Sequence, residues 1–497
     1  MKQKLKNVNM IYRFILTGGF FYGVDDSIFE KGNVGKLLMK FSIPAIISLL
    51  VSELYNMVDT VFVGRVIGGN GIGALVVVFP IQRIIVAISM MIAIGSSTAI
   101  ARSSGEKDYK NVQKIIKNSI SLTFSSMIPL TILIFIFKDS ILKSLGASNQ
   151  ILPYAHEYLS IIVFGSIFQS LTISIGYMMM ALGNRKVALQ STMTGAICNA
   201  IVDFIFVVLL DFGVKGAAIA TVLSQIVSFI YAYYHFVEVK KKFKLSLGFK
   251  FNADIWKGIT TVGFSAFIVE AEDGILLAIL NNLLLKHAGD MGVIVLGVIS
   301  KLSMFMFINM LGISSAMQPI AAYNLGAENY KRLKEVVRKT IIYALLTSLG
   351  LWAITMIFTP QLISIFVKDK NIVKEAVKAF RIMVSVLPLI SLYYVSIYYF
   401  QALGKAKKSF TVSILRQIII LLPVSILLIE VFDLGALAVW LSYPIADFTS
   451  SVVAVFLMRK ESKKLDKTIR KAELEAINDK EYEMNSYEKN PIQDDMI

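Results

Sequence analysis

Gly105-Glu106-Lys107-Asp108-Tyr109-Lys110 returns later in the chain as Gly326-Ala327-Glu328-Asn329-Tyr330-Lys331, an offset of 221 residues (326 − 105). Ala181-Leu182-Gly183 returns as Ala402-Leu403-Gly404 at the same offset (402 − 181). A third echo, Gly216-Ala217-Ala218 against Gly435-Ala436-Leu437-Ala438, sits at 219 (435 − 216). Three ordered echoes at nearly one spacing identify a duplicated unit.

The sequence around the echoes is strongly apolar. Hydrophobic residues make up 56% and charged residues 17%, where soluble domains carry roughly a quarter charged residues. A run of about 20 apolar residues crosses the hydrocarbon core of a bilayer. Twelve such runs are present, at about 38–63, 72–101, 118–137, 155–181, 187–210, 215–237, 258–285, 292–318, 340–358, 377–401, 409–429 and 434–458. In lipid every backbone amide must be satisfied within the protein, by a helix or a closed barrel. Runs this long, without two-residue alternation, predict helices. The expected fold class is therefore an all-α integral membrane protein with 12 transmembrane helices, six in each repeat.

Lysine and arginine placement predicts the orientation. The connections after helices 2, 4, 6, 8 and 10 are basic, with Lys107, Lys110, Arg185, Lys186, Lys240 to Lys242, Lys331, Arg332, Lys405, Lys407 and Lys408 among their residues. The alternate connections are mixed in sign. Both termini are thus expected in the cytoplasm of a multi-pass membrane protein. Six helices is an even number, so the two bundles share one orientation and are related by a pseudo-twofold along the membrane normal. Duplicated halves of this kind commonly line a transport path between them. The expected organisation is a segment 1–35 at the cytoplasmic interface, a first lobe 36–237, a basic linker 238–257, a second lobe 258–458 and a charged, frayed tail 459–497. Residues 1–24 resemble a signal peptide superficially, but Thr17-Gly18-Gly19 breaks the apolar stretch and no small-residue cleavage site follows.

The net charge of +16 is accounted for by topology and contact with anionic lipid, since the basic residues are mostly in connections; no nucleic-acid partner is expected. A lone Cys198 forms no intrachain disulfide, and His156, His235 and His287 lack metal-ligand spacing. No phosphate-binding glycine loop occurs. No catalytic constellation is found and no cofactor is expected, so an ion gradient is the expected energy source.

Ionisable residues inside spans are costly and mark function. Asp59 precedes Arg65 by six residues, Asp203 precedes Asp211 by eight, and Thr221 follows Lys215 by six. With a rise of about 1.5 Å per residue, all three lie roughly 9–12 Å below the same boundary. Asn199 and Asp203 are four apart on one helix face, as are Tyr55, Asn56 and Asp59. The predicted cation site is Asp59, Asn199, Asp203 and Thr221, whose oxygens suit a shared proton or Na⁺. Glu53, Tyr55, Asn56 and Gln318 are assigned to a substrate cavity, and the cavity of the first half reads as acidic. In the second half no acid stands where Asp203 would recur. Helix 7 instead carries Glu270, Glu272 and Asp273, with two readings open: a structural pair with Lys301, or a second coupling site. Pro44 and Gly263 occupy related positions and are expected to act as hinges.

The run Asn56-Met57-Val58-Asp59-Thr60-Val61-Phe62-Val63-Gly64-Arg65 with Pro44, the pair Asn199 and Asp203, Gln318-Pro319 followed by Tyr323-Asn324, and Gly404 followed by Ala406-Lys407 together resemble the multidrug and toxic compound extrusion (MATE) family over about 36–458. The resemblance implies a V-shaped pair of six-helix bundles exporting lipophilic organic cations in exchange for H⁺ or Na⁺. It places the family's first-lobe cation site on the same four residues, and a monomer in the bilayer is the expected form. The alternatives are a lipid-linked oligosaccharide flippase of the same superfamily and, more distantly, an integral-membrane enzyme.

Overall fold

The computed structural model describes residues 26–67, 69–244, 248–367 and 369–489. The expectations for residues 1–24 lie outside the described residues, as does the last stretch of the charged tail, 490–497. The first repeat comprises α1 (Val34–Val66), α2 (Gly69–Gly105), α3 (Tyr109–Ser144), α4 (Leu152–Ala181), α5 (Lys186–Asp203, continued by a π-helical stretch Phe204–Leu209) and α6 (Gly213–Lys242). In the second, α7 (253–288) and α8 (Met291–Gly326) are two arms of one long helix broken at Gly289, where φ 63° and ψ −164° leave the helical region. Then follow α9 (Tyr330–Ile357), α10 (Lys370–Met383 and Leu387–Ala402, bent by 45°), α11 (Ala406–Glu430, π-helical over Leu415–Leu421) and α12 (Ala436–Lys489).

Among the described residues, ten helices are long and apolar enough to cross a membrane, and the bent α10 brings the number to 11. The remaining rod is α7, whose apolar run is interrupted by Glu270, Glu272 and Asp273. The result is two bundles of six, the expected fold class.

The duplicated motif is a helix stop and restart. Lys107 (φ 58°) and Glu328 (φ 54°) take the left-handed conformation at equivalent places. The next residue caps the following helix: Asp108 accepts from the Asn111 amide at 3.0 Å and Asn329 from the Arg332 amide at 3.1 Å. Such caps contribute about 1 kcal/mol each.

The lobes meet where α2 crosses α7 and α8, and α1 crosses the same long helix. A Cβ added to Gly105 would stand 2.0 Å from the Tyr323 carbonyl oxygen, and one added to Gly326 would stand 2.0 Å from that of Arg102. These contacts are each other's images under the repeat, since 323 − 102 = 221, so the pseudo-twofold passes between α2 and α8. Further along, a Cβ on Gly263 would lie 1.8 Å from the Met91 carbonyl oxygen. Gly263 sits in continuous helix, at a contact point where α7 lies against α2. Pro44 is inside α1, facing the space between the lobes.

A short 3₁₀ turn, Asp26–Phe29, leads into a strap across this seam. Phe29 packs with ring centroids 5.4 Å from Phe41 of α1 and 5.3 Å from Tyr323 of α8. Glu30 pairs with Lys107 and accepts from the Tyr323 hydroxyl at 2.7 Å. Arg332 donates to the carbonyls of Phe29 (2.7 Å), Lys31 (2.9 Å) and Gly32 (3.1 Å). The tail also differs from expectation: α12 continues to Lys489 rather than fraying at 459. Its Lys and Glu residues recur at spacings that support helix, and buried Glu461 pairs with Lys405 and Lys408.

Candidate functional site

Three first-lobe helices carry the cation-site candidates together. Asp59 of α1, Asn199 and Asp203 of α5 and Thr221 of α6 are all buried. The Thr221 hydroxyl lies 3.0 Å from Asp59 Oδ2, to which it can donate, and 3.0 Å from the Ala217 carbonyl of its own helix. Asn199 and Asp203 face the Asp59 carboxyl from α5. Directly after Asp203 the helix widens into the π-helical stretch Phe204–Leu209, a feature frequent at functional sites. Among the described residues, Asp59 Oδ1, both Asp203 oxygens and both Asn199 amide atoms make no hydrogen bond of good geometry. Buried polar groups of this kind are normally satisfied, so these atoms retain bonding capacity for a ligand. Two carboxylates, an amide oxygen and a hydroxyl form a hard oxygen set that fits a proton or a small monovalent cation. Among the described residues no cluster of three or more His, Cys, Asp or Glu side chains suits a more demanding metal.

Between the lobes lies a cavity of about 420 Å³, whose walls include Pro44, Glu53, Arg83, Thr221, Glu270 and Arg416. A volume of this size accommodates a drug-sized ligand. Thr221 belongs to both places, joining the cation site to the cavity wall. Met90, Met180, Met304, Phe79 and Phe307 supply adaptable apolar surface.

The walls of this cavity between the lobes carry charges of both signs. Arg83 stands at the centre: its Nη2 is 3.3 Å from Glu53 and its Nη1 3.6 Å from Glu270. Glu270 therefore pairs across the seam with Arg83, and Lys301, its partner in one of the two readings, is exposed on α8. Sequence spacing along one lobe could not register a contact that forms between lobes. Glu272 is buried, 4% exposed. The side chains of Asp273, Tyr55 and Asn56 lie outside the described residues. Gln318, expected in the cavity, is instead buried in the seam, donating to Thr98 Oγ1 at 2.6 Å and approaching Gln401 Oε1 at 3.4 Å.

A buried pair in the second lobe is absent from the sequence-based expectations. Arg416 Nε of α11 is 2.7 Å from Asp447 Oδ1 of α12, with side chains 4% and 2% exposed. Both lie inside predicted spans, where an ionisable residue was itself the available signal. Their repeat counterparts are Gly195 and Ser228 (416 − 195 = 221 and 447 − 228 = 219). Those two also touch: a Cβ on Gly195 would meet Ser228 Oγ at 1.9 Å.

A family model described as MatE matches residues 44–205 and 275–427. The multidrug export protein MepA of Staphylococcus saprophyticus is 27% identical over 454 residues, covering 90% of this chain and 98% of that protein. MepA of Staphylococcus aureus is 26% identical over 439 residues, covering 86% and 94%. Among solved structures, an outward-facing multidrug resistance MATE family transporter of the MOP superfamily aligns with a TM-score of 0.82 at 25% identity, covering 89% of this chain and 98% of that one. With well over half of its length matched by the family model, and both lobes included, the chain belongs to the MatE family.

Proposed function

We propose that this protein is a secondary active multidrug efflux transporter of the bacterial inner membrane, with both termini cytoplasmic, that exports lipophilic organic cations in exchange for H⁺ or Na⁺. The observation that carries the reading is Thr221, which bonds Asp59 at 3.0 Å and also forms part of the wall of the central cavity. A cation at Asp59, Asn199, Asp203 and Thr221 and a ligand in the cavity thus meet through one side chain, and occupancy of one alters the wall of the other. Two buried acids close together resist carrying two charges at once, so the site has reason to bind a cation from one side and release it to the other. Alternation between the two faces then couples ion entry to ligand exit. The family membership and the MepA relatives support export of drugs rather than catalysis on them.

The test is ethidium efflux from proteoliposomes under an imposed pH gradient or an imposed Na⁺ gradient. Efflux driven by one of them, and abolished in Asp59→Asn and Asp203→Asn proteins that still insert, is the expected result. Thr221→Ala should weaken the dependence on Na⁺ if that is the ion. Full activity in either aspartate variant would remove the site, and folded protein with no gradient-dependent efflux would favour a lipid or oligosaccharide substrate.

A further inference from the structure

Arg83 sits where the charge of an organic cation would be expected. It projects from the middle of α2 into the cavity, packs over the Phe79 ring with 4.9 Å between guanidinium carbon and centroid, and spans two carboxylates from different lobes. Glu53, on α1, belongs to the same lobe as Arg83; Glu270, on α7, belongs to the other. The three side chains are exposed to nearly the same degree, 20–22%, so each is open to the cavity and within reach of a ligand. A planar, delocalised cation over an aromatic ring and between two carboxylates is also a description of how a flat aromatic drug cation would be held.

Resting on the functional reading above, we infer that Arg83 is an internal competitor for the ligand: an organic cation in the cavity takes Glu270 as its counter-ion and displaces Arg83 onto Glu53. The distances favour this order, because the contact to Glu270 is the longer, 3.6 Å against 3.3 Å to Glu53. The exchange neutralises the cluster, since one guanidinium between two carboxylates carries a net charge of −1 and the ligand's charge, added beside Glu270 while Arg83 keeps a carboxylate of its own lobe, brings it to zero. It also transfers a tie between the lobes from the protein to the ligand. Selectivity follows from the same competition: a neutral lipophile fills the apolar walls but cannot displace a guanidinium from a carboxylate. Arg83 is on this account a specificity-determining residue, setting how strongly a ligand must interact with Glu270 to be accepted.

The measurement is equilibrium binding of ethidium to purified full-length protein, followed by fluorescence anisotropy, with the neutral lipophile N-phenyl-1-naphthylamine as the comparison probe. Arg83→Gln removes the competitor and should tighten ethidium binding about tenfold, while Glu270→Gln should weaken it by a similar factor. Arg83→Lys retains a competing cation and should bind within about threefold of wild type, which guards against a packing defect in Arg83→Gln. In the double variant Arg83→Gln/Glu270→Gln the gain from Arg83→Gln should vanish, because the contested carboxylate is gone. Binding of the neutral probe should change less than twofold throughout. Ethidium affinity that is unchanged or weaker in Arg83→Gln, or a gain that persists without Glu270, overturns the inference and leaves the transport reading intact. Wild-type protein that binds the neutral probe but not ethidium overturns the organic-cation reading itself, and this inference with it.

Discussion

Gly263→Ala is expected to open the seam between the lobes. The added methyl would stand 1.8 Å from the Met91 carbonyl oxygen, and real Cβ contacts essentially never fall under 3.0 Å. The helices α2 and α7 must therefore separate by about 1.2 Å (3.0 − 1.8), since a backbone carbonyl has no rotamer to turn aside. Overpacking of this kind costs about 1–3 kcal/mol, the rigid neighbour placing it at the upper end. Alanine in place of glycine in a helix returns about 1 kcal/mol. The net penalty of about 2 kcal/mol falls on the closed-seam conformation and shifts its population about 30-fold, at 1.4 kcal/mol per tenfold. Gly258→Ala is the control, because nothing lies within 4 Å of a Cβ at Gly258. Spin labels on Lys110→Cys and Lys331→Cys, both exposed and related by the repeat, read the seam in a Cys198→Ala background. Distance distributions should broaden to longer separations in Gly263→Ala and match the parent in Gly258→Ala. Identical distributions in the two glycine variants would refute the account of Gly263 as a contact point.

Asp447→Asn strips the counter-charge from buried Arg416 and should destabilise the protein by about 3–5 kcal/mol, whereas Arg416→Met/Asp447→Leu should recover most of that loss. The fraction of monodisperse protein after heating in detergent reports both, and a single-variant loss under about 1 kcal/mol would remove the pair from the stability of the second lobe. The strap gives a pH prediction. The Lys107 ammonium, and after it the Tyr323 hydroxyl, hold the Glu30 carboxyl below its ordinary value, so its contribution is complete above the unfolded pKa of about 4.3 and is lost as pH falls through the lower folded value. Maleimide labelling of Lys31→Cys should therefore be constant from pH 8 to pH 5 and rise only in stronger acid; a rise between pH 7 and pH 5 would show that another group governs the strap.

What the sequence discloses follows from distance along the chain. Helix rise and face turn residue numbers into depth and azimuth, and this was enough to group Asp59, Asn199, Asp203 and Thr221, all within one lobe. The echo Gly105 to Lys110 revealed the repeat because its left-handed residue and helix cap are local needs. Contacts between lobes have no such ruler. Arg83 and Glu270 meet because α2 and α7 cross, Gly263 is glycine because Met91 lies against it, and Gln318 faces Thr98 rather than the cavity for the same reason. Arg416 and Asp447 are different, since a charge inside an apolar run is visible in the residues alone.

The contact that holds Gly195 against Ser228 in one lobe and Arg416 against Asp447 in the other marks how far two copies of an ancestral half have separated. In the first copy the helices approach until only a hydrogen and a hydroxyl fit between them; in the second, an arginine and an aspartate fill the same crossing. The halves accordingly present different chemistry at the same crossing. A chimera carrying the first half twice would bring a second small-residue crossing where a guanidinium now forms part of the cavity wall, and a chimera of two second halves would set a second Arg–Asp pair where the helices now approach closely. Duplication supplied the frame, and divergence at single crossings has given the two lobes unlike walls toward the cavity between them.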